Sequence, residues 1–121
     1  MYIVNKRLEV AVSHQLRLPY DSKCKNLHGH NLIINIQVTC DELTEYGMVL
    51  DFVHIKKLIH DELDHGHLNN ILKVNPTAEN LCWWIQDKIN SYLEKTDPHR
   101  NVYVNKVSVQ ESEGNVAEWR M

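Results

Sequence analysis

The sequence predicts an α+β fold, a four-stranded antiparallel sheet with two helices on one face. Three observations carry that prediction. Two long runs near the N-terminus alternate apolar and polar residues, two runs in the middle repeat apolar residues at helical spacing, and two further alternating runs close the chain. At 121 residues, 43% of them hydrophobic, the chain suits one domain over residues 1–121 with a single core.

The first strand is marked by Val4, Leu8, Val10 and Val12, with His14 continuing the same parity and Lys6 interrupting it. In the second, Leu32, Ile34, Ile36 and Val38 alternate with Asn31, Asn35, Gln37 and Thr39, broken only by Ile33. His28 and His30 share the parity of that apolar stripe. Asp41 to Gly47 reads as a polar turn. Phe52, Ile55, Leu58, Ile59 and Leu63 then define a helix with Asp51 as N-cap, running out at Asp64-His65-Gly66, where glycine is the natural stop. Asn75-Pro76-Thr77 opens a second helix, with Thr77 as cap and Glu79 in the first turn facing the helix dipole. Its buried stripe is Leu81, Trp84, Ile85, Ile89 and Tyr92; Trp83 lies off the centre, a packing residue in preference to an interface anchor. After the break at Thr96-Asp97-Pro98, Tyr103, Val107 and Val109 mark a third strand ending at Glu111, and Val116 to Arg120 a short fourth.

A formal charge of −3 argues against a nucleic-acid platform, which needs a basic field. No apolar run reaches the length of a membrane span, and the N-terminus opens into strand-like alternation, so a soluble, cytoplasmic protein is expected. Cys24, Cys40 and Cys82 form an odd, scattered set without a Cys-x-x-Cys pair, which predicts reduced thiols. Cys40 and Cys82 read as packing residues. The uncharged polar face of the second strand either meets water or lines a seam in an oligomer.

The densest chemistry lies in Cys24-Lys25-Asn26-Leu27-His28-Gly29-His30, read with His14 upstream. Imidazoles at i and i+2 share a strand face about 6.5 Å apart, and pairing the two strands as a long-looped hairpin brings His14 to both. Three neutral imidazoles suit Zn²⁺, with a fourth position open as in catalytic zinc sites. Two other readings stay open: surface imidazoles without a ligand role, and a closed structural site in which Cys24 is the fourth ligand. A second patch, Leu63-Asp64-His65-Gly66-His67, offers a carboxylate-supported imidazole for acid/base work, against the simpler reading of a charged helix end. His60 and Asp64, at i and i+4, make a weaker metal candidate for want of a third ligand. A cation near Cys24 would favour its thiolate. Zinc, thiolate and an Asp-supported histidine together suit proton abstraction beside a polarised oxygen.

Ser13 to Pro19, Cys24 to His30, Leu50-Asp51-Phe52, Leu63-Asp64-His65, Asn75 to Asn80 and Gln110-Glu111-Ser112 resemble, in order, the signatures of the 6-pyruvoyltetrahydropterin synthase and 6-carboxytetrahydropterin synthase family. The likeness covers nearly the whole chain. It implies a T-fold, whose subunits assemble into an oligomeric barrel with active sites at subunit interfaces, a hexamer in preference to a tetramer. It implies zinc on His14, His28 and His30, Cys24 as base, Asp64 and His65 as acid/base partners from a neighbouring subunit, and Glu111, with Thr77 as a lesser contact, gripping a pterin. The implied substrate is 7,8-dihydroneopterin triphosphate. The compact chain and its Leu-Asp-His-Gly-His-Leu-Asn run look more like bacterial members, which favours the carboxy-forming branch serving 7-deazaguanine (queuosine) synthesis over the pyruvoyl-forming one. A zinc-stabilised binding module without catalysis is the remaining alternative.

Overall fold

A computed structural model describes residues 1–121. Strands β1 (Tyr2–His14) and β2 (His28–Cys40) form an antiparallel pair along their full length, with Tyr2 opposite Cys40 and His14 opposite His28. The first helical run comprises α1 (Phe52–Ile55), a π-helical stretch Lys56–His60 and α2 (Asp61–Leu63). There follow β3 (Gly66–His67), the single turn α3 (Leu68–Ile71), the long α4 (Ala78–Thr96), β4 (Val102–Ser112) and β5 (Asn115–Arg120). The strand order is β3-β1-β2-β4-β5. The expected four-stranded antiparallel sheet is therefore a five-stranded mixed one. Its additional strand is the two-residue β3, which runs parallel to β1 with Gly66 opposite Val12 and His67 opposite Ser13. Two residues are too few to show periodicity, so nothing in the sequence pattern marks it.

Alternation places the core as expected. Leu8, Val10, Val12, Leu32, Ile34, Ile36 and Val38 are all buried on the face covered by the helices. Lys6, on the same parity, lies with its ammonium 5.9 Å from the centre of the Phe52 ring, and Phe52 itself is half exposed rather than a member of the buried stripe. Ile55, Ile59 and Leu63 are fully buried at four-residue intervals. A strict α-helix would rotate such residues steadily out of line, and the wider π turn between them takes up that drift. In α4, Leu81, Ile85 and Ile89 are buried with Cys82 and Leu93, Trp84 and Tyr92 are half-buried, and Trp83 is exposed. On β4 the buried parity changes from Val102 and Val104 to Val107 and Val109, because Asn105 is an extra residue opposite the Gln37–Val38 step.

Both predicted N-caps form: the Asp51 side chain accepts from the Val53 N–H, and Thr77 from the Asn80 N–H. The C-terminal stop differs from the expectation. His65, not Gly66, takes the left-handed conformation, at φ 62°. Gly66 is required for closeness instead, since a Cβ there would come within 2.7 Å of the Leu63 carbonyl oxygen and 2.9 Å of Ile71 Cδ1. No helix is long and apolar enough to cross a membrane.

The link between β2 and α1 is pinned by a residue the sequence pattern does not single out. Arg100 donates to the carbonyls of Glu42 (2.8 Å) and Val49 (2.7 Å) and to the Asp97 carboxylate (2.7 Å), with its side chain only 11% exposed. Removing it would leave those acceptors unpaired. Arg100→Ala is expected to lower unfolding free energy by about 2–4 kcal/mol, read as a fall in the urea midpoint. Gly66→Ala is expected to loosen the Asp64–His67 segment, seen as faster amide exchange there.

Candidate metal centre and active site

The register of the hairpin builds the site. His14 faces His28 directly, and Val12 faces His30, so the three rings meet on the core side at the open end of the sheet. Their centroids are 4.5, 5.0 and 4.9 Å apart, and one ligand atom from each lies within 4.8 Å of the others. Cys24 is not in that group of donors.

Tautomers follow from the partners. His14 Nδ1 lies 2.8 Å from the Pro76 carbonyl oxygen and His28 Nδ1 lies 2.7 Å from that of Asn26. A carbonyl only accepts, so each Nδ1 carries the proton and each Nε2 keeps its lone pair. The Nε2 atoms of His14 and His30 are buried with no hydrogen-bond partner. Unpaired buried nitrogens in native proteins require an explanation, and a bound cation satisfies them. His14 is only 2% exposed. The pKa of His30 is lowered, chiefly by burial, which outweighs the raising effect of Glu111; the neighbouring His14 and His28 lower it further. The neutral imidazole that a metal needs is thus the favoured form. These residues fit a metal ion on donor chemistry alone.

Glu111 joins the centre to a cleft. Its Oε1 is 3.4 Å from His30 Nε2, too long for a good hydrogen bond, and its side chain lines a cleft of about 510 Å³ with Ala78, Glu79, Val116, Ala117 and Glu118. Thr77, at the base of α4 beside that lining, already uses its hydroxyl oxygen as the helix cap. Cys24 sits half-buried on a single 3₁₀ turn, Lys23–Lys25, with Ser22 Oγ accepting from its N–H at 3.2 Å. The other thiols are packing groups: Cys40 and Cys82 are each 1% exposed, and burial pushes Cys82 up to about 11.

Asp64 and His65 dock on the outer edge of β1. Asp64 Oδ1 accepts from the Ala11 N–H at 2.9 Å, the His65 N–H donates to the Ala11 carbonyl at 2.7 Å, and Asp64 Oδ2 lies 3.0 Å from His65 Nδ1. The Ala11 N–H, foremost, holds the Asp64 carboxyl below the usual carboxylate range. His65 combines a left-handed backbone with a side chain 84% exposed. A non-glycine residue held in that conformation costs about 1 kcal/mol or more, and such strain gathers at functional sites. His60 Nε2 is 3.9 Å from Asp64 Oδ2 with no third donor, so the helical metal candidate does not assemble. Sequence reasoning missed the roles of Pro76 and Asn26, because both act through backbone carbonyls that no residue type announces.

Fold and donor set together define the class: a T-fold protein with a three-histidine centre able to hold a metal ion. The chain belongs to the 6-pyruvoyl tetrahydropterin synthase family, whose sequence profile matches residues 3–121. It is 36% identical over 98 residues to the 6-carboxy-5,6,7,8-tetrahydropterin synthase of Synechocystis sp., covering 74% of this chain and 75% of that one. It is 31% identical over 98 residues to the enzyme of the same name from Bacillus subtilis, covering 75% and 67%. In fold it matches the 6-pyruvoyl tetrahydropterin synthase of Caenorhabditis elegans with a TM-score of 0.75 at 22% identity, over 99% of this chain and 95% of that one.

Two outcomes test the centre. His14→Ala is expected to weaken metal binding on the order of 100-fold or more, measured by chelator competition. Because the folded pKa of His30 is lowered, its neutral form persists below the ordinary imidazole range. The contribution of His30 to metal affinity, read as the difference between wild type and His30→Ala, is therefore expected to persist through that range and to be lost only as pH drops through the lowered value.

Proposed function

We propose that this chain is a zinc-dependent 6-carboxy-5,6,7,8-tetrahydropterin synthase, a lyase that converts 7,8-dihydroneopterin triphosphate to 6-carboxytetrahydropterin, acetaldehyde and triphosphate. The observation that carries the reading is the set of three converging imidazoles, two of them (His14 and His30) with a buried and unpartnered Nε2, beside the Glu111 cleft. It is supported by the two bacterial relatives that bear this name. All-nitrogen donation by neutral imidazoles favours zinc over magnesium or calcium, and Cys24 outside the donor group supports an open centre over a closed structural one.

Zinc on His14, His28 and His30 would supply Lewis acidity to the hydroxyls of the substrate side chain. Glu111 would accept hydrogen bonds from the amino group and ring N–H of the pterin, a paired donor edge that a carboxylate matches. Its position beside His30 would lay the side chain toward the histidine end of the cleft. Cys24, as thiolate, would take the proton from the side-chain carbon next to the ring, and the electron pair left behind would reduce the ring C=N bond; loss of a second proton, from the next side-chain carbon, would then expel triphosphate with its C–O electron pair. His65, oriented by Asp64, would relay the hydroxyl proton. Water would then add to the side-chain carbonyl next to the ring, and the carbon–carbon bond beyond it would break, leaving the carboxyl group on the ring and releasing the other two carbons, protonated, as acetaldehyde.

Asp64 and His65 would serve the centre of a neighbouring subunit in a homo-oligomer. Their anchor, Ala11, is three residues before His14, about 10 Å along the strand, and they lie on the edge of β1 opposite His28 and His30. His65 points into solvent from there.

Incubation of the zinc-loaded protein with dihydroneopterin triphosphate is expected to give acetaldehyde and 6-carboxytetrahydropterin. A pyruvoyl product would move the chain to the other branch, and no turnover would leave a binding module. Cys24→Ala is expected to cut turnover on the order of 10³-fold with zinc content unchanged. Equal mixing of inactive Cys24→Ala and Asp64→Ala subunits, with exchange, is expected to restore about a quarter of wild-type activity, because shared sites re-form with both intact halves. Failure to complement would place each pair in one subunit.

A further inference from the structure

We propose that Asn69 and Asn75 are positioning residues for Cys24, acting as side-chain surrogates for a neighbouring strand that prolong β1 past His14. The proposal rests on the function assigned above for the role of the thiol, but its structural half stands independently.

Beyond His14 the chain keeps the hydrogen-bonding habit of a strand, in which alternate residues address opposite edges. On one edge, Asn69 accepts from the Gln15 N–H through Oδ1 at 2.9 Å and donates from Nδ2 to the Gln15 carbonyl at 2.9 Å. Asn75 treats Arg17 the same way, at 2.8 and 3.0 Å. A primary amide presents donor and acceptor side by side, as the peptide of an adjacent strand would, and among side chains only Asn and Gln do so. On the opposite edge the Leu16 N–H donates to the Cys24 carbonyl at 2.8 Å. The turn bearing Cys24 is otherwise tied within itself, by Cys24 to Ser22 Oγ, Lys25 to the Ser22 carbonyl and Asn26 to the Lys23 carbonyl, and at its far end by the Asn26 carbonyl accepting from His28 Nδ1, two residues beyond the thiol. Leu16 thus fixes Cys24, and the two asparagines fix Leu16 from both sides in sequence.

The clamp is itself anchored. The Asn75 carbonyl accepts from Asn80 Nδ2 and from the Thr77 N–H, each at 2.8 Å, and Asn69 lies on α3 directly after β3. Ala11, Gln15 and Arg17 therefore share one edge, held in turn by Asp64 and His65, by Asn69 and by Asn75. One strand edge sets both the acid/base pair and, through Leu16, the thiol.

The test uses Asn69→Ala and Asn75→Ala in the full-length, metal-loaded protein. Each is expected to speed amide exchange across residues 15–26 about tenfold, leaving the core strands unchanged. Each is also expected to lower kcat about tenfold with KM within about threefold, and to change the rate of Cys24 alkylation by iodoacetamide, Cys40 and Cys82 being too buried to contribute. A merely structural role would instead raise exchange throughout the chain and leave kcat per folded molecule intact. If Asn75→Ala sheds metal through its neighbour Pro76, which holds His14, Asn69→Ala decides. Unchanged exchange over 15–26, or faster exchange with unchanged kcat and alkylation, would overturn the proposal. If the wild-type protein fails to turn over the pterin, the assigned activity falls, and exchange and alkylation still decide whether the asparagines place the thiol.

Discussion

The pairing of His14 with His28 across β1 and β2 is the constraint on which the head of the molecule depends. Side chains alternate across a strand, so a slip of one residue in this register would send all of one strand's inward side chains to the opposite face. The register is over-determined: Leu8, Val10 and Val12 on one strand and Leu32, Ile34, Ile36 and Val38 on the other are all buried on the helix-covered face. Burying each such side chain contributes roughly 1.5–3 kcal/mol relative to exposure, far more than any one histidine contact could oppose. The core therefore places the imidazoles. They continue its stripe at the His14–His28 end of the pair, where Pro76 and Asn26 offer carbonyl partners, which is why polar rings can lie there without disrupting the packing.

Convergence alone would not make a centre, because an imidazole is a ligand only at the nitrogen without a proton. Here two backbone carbonyls make that choice, Pro76 for His14 and Asn26 for His28. Pro76 is buried between Asn75, which clamps Arg17, and Thr77, which caps α4. Three successive residues thus orient His14, hold the loop that leads to Cys24 and start the long helix beside the cleft. Such a segment couples the stability of α4 to the geometry of the site, so that damage at one should be felt at the other.

Most of this was legible in sequence where a signal repeats. Long alternating runs, helical stripes and both N-caps give the layers, and parity alone gives the three histidines as a group. The Asp64–His65 pair was legible as two types able to support one another, while their contact is a finding of the structure. What stayed hidden lacks periodicity or residue identity: the two-residue β3, the bulge at Asn105, the carbonyl partners of His14 and His28, and Arg100, whose acceptors lie about fifty residues away in the chain. Gly66 shows a different limit. A glycine after a helix ordinarily signals a left-handed stop, but here His65 takes that conformation and the glycine answers a close approach from Leu63 and Ile71. Asn75 reads only as part of a helix opening and Asn69 only as the end of the Leu-Asp-His-Gly-His-Leu-Asn run, since a side chain imitating a strand leaves no mark on a pattern.

The balance at His30 shows how the site keeps two demands compatible. The proposed grip of Glu111 on a donor-rich ring edge calls for an ionised carboxylate, yet a carboxylate 3.4 Å away would ordinarily draw a proton onto His30 and spoil it as a candidate ligand. Burial opposes this, and the like-charged tendencies of His14 and His28 add to it, with the result that the imidazole stays easier to deprotonate than in water. Crowding three histidines is therefore more than a way of gathering donors. His14 and His28 disfavour protonation of His30, which lets the Glu111 carboxylate abut that imidazole without protonating it.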